Sequence, residues 1–85
     1  MKFGLIKLEI GKIYQLNYTY CNIYEDIKGS IPIYTMKKGE LFVPLRLSVF
    51  KNSSLIVPQY KIICNDVVGW LDAENYLDGY LKKMT

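Results

Sequence analysis

Apolar and polar residues alternate with a period of two along most of this chain. From Leu8 to Tyr20 the even positions carry Leu8, Ile10, Tyr14, Leu16, Tyr18 and Tyr20, with Glu9, Gln15, Asn17 and Thr19 opposite. Side chains that alternate between two faces in this way predict a half-buried strand, and the break at Gly11–Ile13 predicts a bulge. From Leu41 to Phe50 the odd positions Leu41, Val43, Leu45, Leu47 and Val49 form one apolar face. From Leu55 to Cys64, Ile56, Tyr60, Ile62 and Cys64 share a face against Gln59 and Lys61, and Val67–Leu71 predicts a further short strand. Buried positions are expected at Leu16, Val43, Leu45, Leu47, Ile62 and Val68, each on the more apolar face of its strand.

The connections support the same picture. Lys37–Glu40 reads as a turn, Lys51–Ser54 as the polar link of a hairpin, and Cys64–Val67 as a second tight turn. Asn22–Met36 reads as a long irregular loop with apolar side chains of its own. Pro44 and Pro58 fall inside strands, where a proline ring cannot donate to a ladder, so each should mark an edge or a bend. Only Asp72–Leu77 has helical character: an acid suited to an N-cap, room for one turn, and Gly79 to stop it. Tyr80–Lys83 then predicts a last short strand. Residues 1–85 are expected to form one all-β domain, a small barrel of five or six short strands with one 3-10 turn near the C-terminus. Closure is the economical way for a chain this short to avoid exposed edges.

Three stretches resemble the SH3-like barrels (Src-homology-3 type). Leu16–Tyr20 resembles the aromatic segment that opens that family's long first loop, and Lys37–Leu41 resembles the Lys-Lys-Gly-Asp turn entering its second strand. Gly69-Trp70-Leu71 with Asn75-Tyr76-Leu77 resembles its closing pattern around a 3-10 turn. Two features depart from the proline-binding members. The third strand opens Leu55-Ile56-Val57 where those members carry a tryptophan, and the closing turn reads Leu71-Asp72-Ala73 without their proline. The resemblance therefore implies the barrel but not polyproline recognition. Gly69-Trp70 also resembles the ending of bacterial SH3-type barrels, some of which bind cell-wall peptides. A single stand-alone barrel with ten each of Ile, Lys and Leu but one Ala and one Arg, the usage of an AT-rich genome, resembles small bacteriophage proteins.

Charge and chemistry narrow the function. The net charge of +3 is mild, and a single arginine is a poor endowment for reading phosphates or bases. Residues 1–65 are nonetheless basic, with nine Lys or Arg against four acids. Lys2, Lys7 and Glu9 interrupt the first ten residues, which fits neither a signal peptide nor a membrane span. The expected location is therefore the cytoplasm, that of the host if a phage encodes the chain. There is no histidine for general acid–base work, no glycine-rich phosphate loop, and no metal-ligand spacing around Cys21 and Cys64. A bridge between the two cysteines is geometrically possible, but a reducing compartment favours two buried thiols. No enzyme, cofactor or metal is expected.

The aromatic residues are the concentrated feature. In an SH3-like barrel the long loop and the closing turn flank one groove, which implies a binding site at Tyr20, Tyr24, Tyr34, Trp70 and Tyr76. Aromatic faces there could stack on a proline, a base, a sugar or a cation. The leading expectation is an interaction module for a protein or peptide, and the alternative is a nucleic-acid-binding barrel. One contiguous face formed by Lys2, Lys7, Lys12, Lys37, Lys38 and Lys51 would favour nucleic acid; dispersion would favour protein.

Overall fold

The computed structural model describes residues 7–26, 31–52, 55–72 and 79–84. Seven antiparallel strands form one sheet: β1 (Tyr14–Leu16), β2 (Tyr20–Tyr24), β3 (Pro32–Lys37), β4 (Leu41–Asn52), β5 (Leu55–Cys64), β6 (Val67–Asp72) and β7 (Leu81–Lys83). Their order is β3-β2-β6-β5-β4-β1-β7, which leaves β3 and β7 at the two ends. No helix occurs among the described residues. Ala73–Leu77, most of the expected 3-10 turn, lies outside the described residues, whereas Asp72 closes β6.

Pairing register defines the two faces, because directly paired residues point to the same side. One face is the core: Tyr14 and Leu16, Cys21 and Ile23, Met36, Phe42 and Pro44, Tyr60, Ile62 and Cys64, and Leu71 are buried on it. Leu8 covers one end of this core. Its backbone N–H donates to the Tyr60 hydroxyl at 2.9 Å, and the N–H of Glu9 donates to that of Tyr14 at 2.8 Å. Both tyrosines thus bury their rings while their hydroxyls meet the donors of a non-strand segment. The alternation over Leu8–Ile13 accordingly does not form a strand. Gly11 adopts φ 84° in a turn, and β1 begins only at Tyr14.

Two further expectations are corrected. Much of the loop expected at Asn22–Met36 is the β2–β3 hairpin, paired from Tyr20↔Lys37 to Tyr24↔Pro32. On β4, the uniform odd-numbered face fails because Pro44 pairs with Ile62 and Arg46 with Lys61, leaving Leu45 as the extra residue of a bulge. A one-residue insertion reverses the pleat beyond it. Before the bulge, Phe42 and Pro44 point inward and Val43 is only half-buried on the other side. After it, Leu47 and Val49 regain the core side, opposite Tyr60 and Pro58, yet lie so near the end of the sheet that about half of each stays exposed. Leu45 itself is 41% exposed, and Val68, paired with Ile63 on the outer side, is 43% exposed. Of the expected core, Leu16 and Ile62 are buried.

The prolines stand where their missing N–H does least harm. Pro44 adjoins the bulge, and Pro58 lies one residue beyond the last β6 partner, Gln59↔Asp72. Asn65 and Asp66, at φ 49° and 65°, make the tight turn between β5 and β6, as two-residue hairpins with this twist require.

Neither Cys21 nor Cys64 is in a disulfide, and both are almost fully buried. Burial pushes the Cys64 thiol up to about 11, with the Glu40 charge adding to it, so little thiolate exists near neutrality. Cys64 is expected to react with a thiol reagent only as fast as the protein opens, and at ordinary thiol rates in denaturant. Fast labelling in native buffer would contradict its burial.

Candidate binding face

The outer face of the sheet is built by the residues opposite the core positions. On β5, Ile62 and Tyr60 point inward, so Lys61 between them points out. Register then aligns four outward residues on four neighbouring strands: Arg46↔Lys61, Lys61↔Trp70 and Trp70↔Tyr24. The Arg46 guanidinium lies 5.4 Å from the centroid of the Trp70 ring and the Lys61 ammonium 6.0 Å. A cation over an indole face gains about 0.5–1 kcal/mol at such partly exposed sites, enough to orient both long side chains. Lys61, Trp70 and Tyr24 are half-buried and Arg46 is exposed. Among the described residues neither cation of the row makes an ion pair; the ion pair there joins Glu9 to Lys83.

The row depends on close approach of β2 to β6, and Gly69 permits it. A Cβ at Gly69 would stand 2.2 Å from Ile23 Cγ2 and 2.8 Å from the Tyr24 carbonyl oxygen. The next paired row towards the β5–β6 turn is apolar, with Val43, Ile63 and Val68 in register. On the other side of the cations, Ser48, Gln59 and Asp72 are in register, and the buried Gln59 has no hydrogen-bond partner for its Oε1 among the described residues.

The structure brings Tyr24 and Trp70 side by side and separates the other residues expected in the site. Tyr20 shares the outer face and is 55% exposed, but it lies at the far end of β2, opposite Lys37. Tyr34 pairs with the inward-facing Ile23 and packs against the core. Its hydroxyl donates to Glu40 Oε1 and accepts from Asn65 Nδ2 at 3.0 Å. Tyr76 lies outside the described residues. The sequence reading missed both cations: the unbroken β5–β6 register sets Lys61 opposite Trp70, and the bulge on β4 then sets Arg46 opposite Lys61.

The Tyr34 cluster ties two turns together. Glu40 accepts from Tyr34, from Asn65 and from the backbone N–H of Lys37, which links the β3–β4 turn to the β5–β6 turn. The Tyr34 hydroxyl, with further donors from Lys37 and Asn65, holds the Glu40 carboxyl below its ordinary 4.5, while Glu40 raises the Tyr34 hydroxyl. A carboxyl whose folded pKa is depressed stabilises the fold above the unfolded value and loses that contribution as pH falls through the folded one. The urea midpoint of the native protein should therefore fall on acidification below about pH 4.5, and by less in Glu40→Gln. Equal acid sensitivity in both proteins would remove Glu40 from the clasp.

Among the described residues no three His, Cys, Asp or Glu side chains gather as a metal site. No described helix is long and apolar enough to cross a membrane. Fold and face together define a small all-β protein with one antiparallel sheet and a cation–aromatic row across its outer side. No family model, curated protein or solved structure matches the chain.

Proposed function

We propose that this protein is a non-enzymatic interaction module, built on an SH3-like barrel, that binds a protein or peptide across the outer face around Trp70. The observation that carries the reading is the row Arg46–Lys61–Trp70–Tyr24, where two cations without ion-pair partners among the described residues rest on a half-buried indole. Beside it Val68 exposes 43% of its surface, which adds an apolar contact to the polar one. Interfaces favour this mixture of aromatic anchor, arginine and apolar surround. The lysines whose clustering would favour nucleic acid do not extend the cations of this row. Lys7 and Lys12 lie ahead of β1 and Lys37–Lys38 lie at the β3–β4 turn, so none of these four joins the row. Lys2 and the Lys51 side chain lie outside what is described.

Capture from host lysate on immobilised protein tests this reading when run beside Trp70→Ser and Tyr34→Phe. A partner retained by the native chain and by Tyr34→Phe, and lost by a folded Trp70→Ser, supports the face. A partner retained by Trp70→Ser refutes it.

A further inference from the structure

The row has a polarity that selects among partners. Its two cations stand on β4 and β5, the rings of Trp70 and Tyr24 follow on β6 and β2, and β2 then runs directly into the exposed Glu25. Four neighbouring strands span about 14 Å between the outermost chains. That length is covered by about four or five residues of extended peptide. One end of the track therefore attracts anions, the middle offers aromatic and apolar surface, and the far end carries the acid Glu25. A polyanion crossing this track would meet repulsion at Glu25, and a base stacking on the cation-covered face of Trp70 would have to displace Arg46 or Lys61. A segment with its negative charge confined to one end meets neither obstacle.

Building on the proposed face, we infer that its partner is a short extended segment of protein with an acidic residue at one end and apolar residues after it. The carboxylate is held by Arg46 and Lys61, which stand on adjacent strands and can share it. The guanidinium supplies a planar fork for two hydrogen bonds and the ammonium a point charge. The apolar side chains that follow lie on Val68, beside the cation-covered ring of Trp70. Because both cations already rest on the indole, they are oriented before the partner arrives, which reduces the ordering cost of binding.

The chain's single tryptophan reports on this event directly. The intact protein is titrated with acetyl-Gly-Asp-Glu-Leu-Leu-Gly-amide, with its Asn-Gln counterpart, and with a twelve-nucleotide oligothymidine, following Trp70 emission. The acidic peptide is expected to give a saturable change that weakens with added salt. The uncharged peptide should need about tenfold more, as expected when two charge contacts are lost. Arg46→Gln and Lys61→Gln should each weaken the acidic peptide about threefold, and Arg46→Lys should recover part of that loss. Thermal melting of each variant separates lost binding from lost folding. Equal binding of both peptides would overturn the acidic preference and leave the face itself standing. Tighter binding of oligothymidine would overturn the inference in favour of a nucleic acid. No response to any probe would also overturn it, while the Trp70-dependent capture experiment would judge the face independently.

Discussion

Gly69→Ala is expected to destabilise the protein by about 3 kcal/mol, the upper end of the usual range for overpacking a well-filled site. The added methyl would meet Ile23 Cγ2 at 2.2 Å and the Tyr24 carbonyl at 2.8 Å, and the second of these is backbone. A flexible side-chain tip can yield, but a carbonyl in the β2 strand moves only with its strand. The substitution must therefore push β2 away from β6 at the pair Tyr24↔Trp70. Native stabilities of ordinary domains are about 5–15 kcal/mol, so such a loss is a large fraction of the whole. Urea denaturation measures it, and a change of less than about 1 kcal/mol would show that the strands stand further apart than described. Because Tyr24 and Trp70 belong to the binding row, a folded Gly69→Ala protein should also bind more weakly.

The second large effect contrasts two apolar residues that look alike in sequence. Ile62→Ala is expected to cost about 2–5 kcal/mol, the range for truncating a buried aliphatic side chain. Ile62 is completely buried between Pro44 and Gly69 in the register of the sheet. Leu45→Ala should cost no more than about 1 kcal/mol, because Leu45 is the bulge residue and 41% of it is already exposed. Equal losses in the two variants would mean that no bulge interrupts β4 and that its odd positions face the core.

That contrast shows how far the sequence could be read. Alternation within Leu55–Cys64 gave the right inward face for β5, since Tyr60, Ile62 and Cys64 are buried and no bulge intervenes between them. The two tight turns after Lys37 and Cys64 were legible from Gly39, Asn65 and Asp66, which take the positive φ that such residues tolerate. On β4 the same alternation misled. Leu45 is as apolar as its neighbours, so nothing in composition reveals that it is the inserted residue. Leu8–Ile13 also alternates, yet Gly11 turns the chain, and tyrosine hydroxyls rather than a ladder satisfy the Leu8 and Glu9 donors.

The candidate site was legible only as aromatic content. Tyr24 and Trp70 are 46 positions apart in the chain, and one register pair makes them neighbours. Tyr34, equally prominent in the sequence, points to the other side and serves the Glu40 clasp. Arg46 attracts no notice among regularly spaced apolar residues until the bulge turns it to face Lys61.

Amide and indole chemical-shift mapping on the intact protein, as the captured partner is titrated in, tests the outer-face account most directly. The account predicts that Arg46, Lys61, Val68, Trp70 and Tyr24 shift together, while Tyr34, Glu40 and Asn65 on the clasp stay in place. Shifts centred on the clasp, with the Trp70 indole unmoved, would contradict it.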